Sequence, residues 1–303
     1  MKIAIAGGTG FVGKALVKEL LKNNHDVVIL TRKLINHDRN ERIQYVQWLS
    51  ENSQPSEHLQ GTEIFINLAG ESINSGRWTT VRKNKILNSR LEAVQNLLTI
   101  MTKLKSKPKA LINASAIGIY GTSEERTFTE EDRGDSIDFL SDTVKQWENE
   151  AGKATEFGIR TVFCRFGIIL DKNQGALPKV AFPYKTFIGG NIGHGRQWMS
   201  WIHIEDVVKG ITFVIDHAEI EGPVNFTSPH PVSMQAFGQI LAMVLHRPHW
   251  LPVPGLILRL FLGEMSTLVL EGQKAVPKKL LETGYQFKYP DLNEALKNIF
   301  PKN

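Results

Sequence analysis

The stretch Gly7-Gly8-Thr9-Gly10-Phe11-Val12-Gly13 decides the fold. It follows the short β-rich run Lys2 to Ala6 and opens an amphipathic stretch in which Val12, Leu16 and Leu20 recur every fourth residue. Strand, glycine turn and helix in that order are the setting in which a glycine fingerprint carries meaning. Glycine admits positive φ and lets the backbone approach a pyrophosphate, while the helix N-terminus offers unpaired N–H groups and partial positive charge. Two spacings fit at once: Gly8, Gly10 and Gly13 as G-x-G-x-x-G, and Gly7, Gly10 and Gly13 as G-x-x-G-x-x-G. Gly7, Thr9, Gly10, Phe11, Val12 and Gly13 are therefore the expected phosphate-binding residues of a dinucleotide site. A glycine turn arising by chance is the plainer alternative.

Roughly twenty residues on, a site for NAD places Asp or Glu to hold the ribose 2′-hydroxyl. Here the chain runs Leu30-Thr31-Arg32-Lys33, with no acid. Arg32 can pair with a 2′-phosphate and Thr31 can add a hydroxyl contact, so the expected cofactor is NADP(H). A solvated strand-end arginine is the competing account.

Outward from this unit, short apolar runs alternate with helical patterns: Val27 to Leu30, Ile64 to Asn67, Ala110 to Ala114 and Arg160 to Cys164. That rhythm predicts an α/β fold with a doubly wound parallel sheet of Rossmann type. Leu87, Leu91, Val94 and Leu98 mark one covering helix. Beyond residue 170 the rhythm breaks. Helices are expected from Asp206 to His217, Ser233 to Leu245, Leu256 to Leu270 and near Leu292 to Phe300, with Asp206 and Ser233 as N-caps. Residues 1–230 are expected to form the nucleotide-binding domain and 247–298 a smaller C-terminal α/β region on the substrate side.

The net charge of +5 comes from 36 basic and 31 acidic residues interleaved along the chain, which suits small phosphate-bearing molecules. The dense stretch Lys103, Lys105, Lys107 and Lys109 has no aromatic residues or binding module beside it, so no nucleic-acid partner is expected. No segment approaches the roughly twenty apolar residues of a membrane span, so no membrane partner is expected. Glycines 7, 8 and 10 interrupt the apolar start before a signal core forms, and the expected location is the cytoplasm. The single cysteine, Cys164, lies in an apolar run and is expected in the core, and His246 and His249 lack the partners of a zinc site.

These residues carry a family resemblance. The glycine turn, Thr31-Arg32, Asn67-Leu68-Ala69-Gly70-Glu71, Ser89-Arg90, Ala114 to Gly121, Trp147-Glu148, Gly189 to Trp198 and Trp201 to Asp206 resemble the atypical extended short-chain dehydrogenase/reductases. The most similar group is the epimerase family proteins, nucleoside-diphosphate-sugar epimerases with a small C-terminal domain of unknown function. The tail from Pro248 through Leu281 looks like that domain. The resemblance implies NADP(H) across the carboxyl edge of the sheet, with Leu68, Ala69 and Gly70 beside the adenine-ribose side. It also implies Lys85 and Arg90 toward the cofactor phosphates and Ile168, after Gly167, behind the nicotinamide. Read from the residues alone, Lys85 and Arg90 are equally ordinary helix-surface charges.

One part of the family chemistry is missing. Extended short-chain dehydrogenases work through a Tyr-x-x-x-Lys pair on one helix, whose lysine lowers the tyrosine pKa for proton exchange during hydride transfer. Four residues after Tyr45, Tyr120, Tyr184, Tyr285 and Tyr289 stand Leu49, Glu124, Ile188, Tyr289 and Asn293. Aligning Trp147-Glu148 with the end of that helix puts Leu140 and Val144 in the two positions, and Lys145 is turned about 100° away. The remaining proton-transfer candidates are Ser115, Tyr120, Glu71 and His203, each with a structural account beside the catalytic one. Arg196, in the glycine-rich loop 189–198, is expected to face a substrate phosphate or carboxylate from a mobile lid, or else to sit on a plain surface loop. The expectation is an oxidoreductase or isomerase acting on a small polar substrate, nominally a nucleotide sugar; the alternative is a non-catalytic NADP(H)-binding module.

Overall fold

Seven strands, β1 (Lys2–Ala6), β2 (Asp26–Thr31), β3 (Ile43–Gln47), β4 (Ile64–Asn67), β5 (Ala110–Ala116), β6 (Arg160–Phe166) and β7 (Gly222–Phe226), pair in parallel in the order β3-β2-β1-β4-β5-β6-β7. The order reverses between β1 and β4, the switch point at which open α/β sheets bind ligands beyond the strand carboxyl ends. The computed structural model describes residues 1–34, 40–50, 53–134 and 138–301. The main helices are α1 (Phe11–Lys22), α2 (Thr80–Lys103), α3 (Phe139–Gly152), α4 (Leu177–Lys185), α5 (Ile204–Asp216), α6 (Met234–Leu245), α7 (Gly255–Leu262) and α8 (Leu292–Ile299).

Strand alternation divides the core. Ile3, Ile5, Val27, Ile29, Ile64 and Ile66 point to the face covered by α1 and α5, where Leu16, Leu20, Val207 and Ile211 meet them. Ala4, Ala6, Val28, Leu30 and Phe65 point to the other face, against Val94 and Leu97 of α2 and Trp147 and Ala151 of α3. Both faces are buried, as a parallel sheet requires.

The sequence rhythm missed two strands, both at edges. Strand β3 has only Val46 fully buried and β7 opens with Gly222-Pro223, so neither presents an apolar run. A second core joins segments far apart in sequence: Leu177, Ala181 and Tyr184 of α4, Phe237 and Leu241 of α6, and Leu292, Leu296 and Ile299 of α8. The tail 247–298 packs on both cores: Leu280 and Tyr285 join the sheet core and Leu292 and Leu296 of α8 the second. Asp206, expected as an N-cap, is instead fully buried inside α5 and accepts from the backbone N–H groups of Lys288 (2.7 Å) and Tyr289 (2.9 Å), tethering the tail. Ser233 does cap α6, accepting from Ala236 N–H at 3.2 Å. The expected helix 256–270 is broken after Leu262 by Gly263, which has a positive φ of 59°.

Candidate functional site at the carboxyl edge

The turn after β1 is built so that only glycine fits at its key points. A Cβ on Gly13 would lie 2.2 Å from the Gly7 carbonyl oxygen, and one on Gly7, whose φ is +82°, would lie 2.7 Å from the Leu68 backbone. Gly10 N–H donates to Gly7 O at 2.9 Å and closes the turn. Gly10 is also the N-cap of α1, with no side-chain cap and no acid in the first turn, so no side chain competes for the helix N-terminus.

Beside the turn lies a cleft of about 860 Å³ lined by Gly7, Thr9, Gly10, Thr31, Arg32, Leu68, Ala69, Gly70 and Glu71, all expected from the sequence. Trp48, Leu49, Ser89 and Glu92 line it too. Of these, Trp48 and Leu49 escaped the sequence reading because they follow the unrecognised β3. Arg32 is exposed, and among the described residues its guanidinium makes no hydrogen bond or ion pair. The Thr31 hydroxyl donates to Lys33 O at 3.1 Å and shapes the bend. Phe11, Val12 and Gly13 stand on the first turn of α1 behind the cleft wall, with Phe11 against Gly175.

The loop after β4 is braced from below. Asn67 and Asn113, paired across β4 and β5, are linked by a buried side-chain hydrogen bond of 2.7 Å, and Asn67 Oδ1 accepts from Ala69 N–H at 3.1 Å. Arg90 does not extend to open solvent. Its Nη1 donates to Glu71 O (3.0 Å) and Ile86 O (2.8 Å), its guanidinium lies over the Trp147 ring, and burial lowers its pKa to about 10. It packs beneath Gly70, where an added Cβ would come within 3.3 Å of it. Lys85 is largely exposed and lies 3.9 Å from Glu71, which Arg82 holds at 2.9 Å. That hydrogen bond from Arg82 keeps the Glu71 carboxyl below the usual range against the opposing effect of burial. Glu71 therefore lines the cleft as a carboxylate, able to accept a proton but carrying none to give.

At the carboxyl end of β5 the structure holds a buried ionic network. Ser115 donates to Glu148, which takes Arg165 at two points, 2.9 and 2.8 Å. Arg165 Nη1 donates to the Tyr120 hydroxyl at 2.9 Å, and that hydroxyl donates to Asn225 at 2.7 Å. Asn225 N–H donates to Glu130, whose own pKa is raised by burial. Tyr120 stacks on Phe128, and burial pushes its phenol up to about 12, opposite to the shift that a proton-exchanging tyrosine needs. Ser115 and Tyr120 are thus brought into one network and both are engaged by protein groups. Val144 is buried beside Tyr120, Ile117 and Phe128.

His203 lies apart from the cleft. It ends a short strand, Trp201–His203, that pairs with Ile168–Leu170, so Ile168 and His203 sit on neighbouring segments beyond β6. Its Nδ1 caps α5 by accepting from Glu205 N–H at 3.1 Å, its ring meets Tyr289, and burial lowers its pKa. The loop 189–198 is packed closely at its start. A Cβ on Gly189 would meet the Tyr184 ring at 2.3 Å and one on Gly190 the Leu251 carbonyl at 2.1 Å, so these glycines serve close packing. Backbone bonds from Val253 to Asn191 (2.7 Å) and from Gly193 to Val253 (2.9 Å) fix its start. Arg196 is exposed and paired with Glu124 at 3.1 Å, with His194 at 3.3 Å from the same carboxylate.

The glycine turn, the switch-point cleft and the seven-stranded order define an NAD(P)-binding Rossmann-type protein of short-chain dehydrogenase/reductase build. Residues 3–138 match the NAD dependent epimerase/dehydratase family, and residues 253–299 match a domain of unknown function, DUF1731. An epimerase family protein of Bacillus subtilis strain 168, YfhF, is 48% identical over 299 residues, covering 99% of this chain and 98% of that one. The crystal structure of a human epimerase family protein, SDR39U1 isoform 2, with NADPH superposes with a TM-score of 0.88 at 30% identity over the whole of both chains. A nucleoside-diphosphate sugar epimerase from Corynebacterium glutamicum gives 0.78 at 28% identity, covering 99% of this chain and 58% of that one. The chain belongs to the epimerase family proteins.

Proposed function

We propose that this protein binds NADP(H) at the carboxyl edge of its sheet and acts as an oxidoreductase or isomerase on a small polar substrate, nominally a nucleotide sugar. The observation that carries the cofactor reading is Arg32, whose guanidinium makes no hydrogen bond or ion pair among the described residues, at the rim of a cleft beside a turn that needs glycine at Gly7 and Gly13. Arg32 offers a bidentate charge-assisted contact to a 2′-phosphate, and no carboxylate stands at the end of β2 to select NAD. NADPH in the human relative supports the same choice. When bound, the nicotinamide supplies or accepts hydride. The chain's own residues then bind and orient: the α1 N-terminus toward the pyrophosphate, Leu68 to Gly70 beside the adenosine half, and the Arg90 brace beneath them.

A second reading, a non-catalytic NADP(H)-binding module, is favoured by one observation: Tyr120 and Ser115 are consumed by the Glu148–Arg165 network, and Leu140 and Val144 stand in place of the usual pair. Single-turnover oxidation of bound NADPH against a panel of nucleotide sugars, quinones and aldehydes separates the two. Substrate-dependent oxidation that repeats over many turnovers establishes the enzyme. Tight NADPH binding with no oxidation by any member of the panel establishes the module.

A further inference from the structure

The sequence contains 31 acidic residues, yet none lies between Asp171 and Glu205, and none between Glu221 and Glu264. The parts of these segments around α4, α6 and Trp250 pack against one another. Helices α4 and α6 pack together in the second core, the Trp250 indole donates to Phe187 O at 2.9 Å, Arg247 lies over the Phe187 ring, and Leu251 N–H donates to Gly189 O at 3.2 Å. The surface they present is apolar, and the acids that meet it come from elsewhere in the chain: Glu124 pairs with His194 and Arg196, and Glu264 holds Lys83 beyond the end of α7. Phe182, Phe187, Ile188, Met243 and Trp250 are exposed, and α7 follows with no buried residue and with Leu256, Leu260 and Phe261 at 80%, 73% and 67% exposure. Arg77 anchors α7 by donating to the carbonyls of Leu260 and Phe261 at 3.0 Å, which leaves its apolar side chains outward. Soluble monomers rarely present so many large apolar groups together without a partner.

We propose that this face seats on the surface of an anionic phospholipid bilayer, with Trp250, Leu256, Leu260 and Phe261 entering the interface and Lys179, Lys185, Arg247 and Arg259 meeting the headgroups. Aromatic and aliphatic groups set among cations, in two segments that contain no acid of their own, match the chemistry of an interfacial surface. No described helix is long and apolar enough to cross a membrane, and peripheral contact requires none. A second copy of the chain is a poorer occupant. A two-fold contact would bring a second set of the cations Lys185, Arg247 and Arg259 into the interface, and neither segment supplies an acid to answer them.

Flotation of the full chain with vesicles tests this. Vesicles of equal parts phosphatidylglycerol and phosphatidylcholine are expected to carry the protein, vesicles of phosphatidylcholine alone to leave it behind, and added salt to weaken the binding. Lys185→Ala and Arg259→Ala should each lower the partition constant about five-fold, and Leu260→Glu should abolish flotation. Each variant is first shown to melt with the parent protein, and a blue shift of fluorescence on anionic vesicles that Trp250→Phe removes provides a second readout. Absence of flotation, equal flotation with neutral vesicles, or partition unaffected by the folded variants overturns the proposal. So does a dimer in solution that Leu260→Glu converts to monomers, which would assign the face to self-association.

Discussion

Glu148 of α3 and Arg165 of β6 meet at two points, Oε1 with Nε at 2.9 Å and Oε2 with Nη2 at 2.8 Å, with both side chains almost wholly buried. Ser115 and Tyr120 hang from this pair, so the carboxyl end of β5 is held by a fixed charge pair.

Breaking such a pair leaves an uncompensated buried charge, which typically costs about 3–5 kcal/mol. Arg165→Met should therefore destabilise the protein by about that amount in urea unfolding, read from the midpoint at constant slope. Replacing both partners, as Arg165→Met with Glu148→Leu, should recover much of the loss. A single substitution that costs under about 1 kcal/mol would show the pair to be solvated and the network not to be structural.

Gly13→Ala places a Cβ 2.2 Å from the Gly7 carbonyl oxygen, a backbone atom that cannot rotate away. Overpacking of this kind costs about 1–3 kcal/mol, more than the gain in helix propensity of at most about 1 kcal/mol. The turn must shift to accept it, so NADPH titrations should show binding weakened at least about tenfold. Unchanged affinity would mean that the turn is not the pyrophosphate cradle.

The glycine turn and Thr31-Arg32 were legible because each depends on local sequence alone. Strand, turn and helix are contiguous, and the strand-end residue is fixed by its distance from the turn. The central strands were legible for the same reason, since burial on both faces leaves unbroken apolar runs. What the sequence hid depends on long-range contact. Asp206 has the residue type and position of an N-cap, but its carboxylate is taken by Lys288 and Tyr289, some eighty residues on, and His203 caps the helix. Glycine is ambiguous by nature, permitting both a loose loop and a close approach. At Gly189 and Gly190 the Tyr184 ring and the Leu251 carbonyl settle it as close approach, and neither neighbour could be read from the loop itself.

His203 makes stability depend on pH. Its Nδ1 accepts from Glu205 N–H only when unprotonated, and burial holds its pKa below the ordinary 6.5. The unfolded chain therefore binds this proton more readily, and stability is fully present above about pH 6.5 and falls as pH drops through the lowered folded value. His203→Asn, which keeps a capping oxygen, should flatten that dependence in thermal melts between pH 7 and pH 5, while His203→Ala should cost about 1–2 kcal/mol at pH 7. A dependence that survives both substitutions assigns the titration to another group.

Cofactor choice tests the central claim most directly. Hydrogen bonds to charged groups contribute about 1.5–3 kcal/mol, roughly ten- to a hundredfold in affinity, and Arg32 is the group proposed to make them to a 2′-phosphate. The measurement is titration of the unmodified protein and of Arg32→Ala with NADPH and with NADH, followed by quenching of protein fluorescence. Tighter binding of NADPH in the parent, lost by about that factor in Arg32→Ala with NADH almost unchanged, is the expected result. Equal affinity for the two cofactors in the unmodified protein contradicts it.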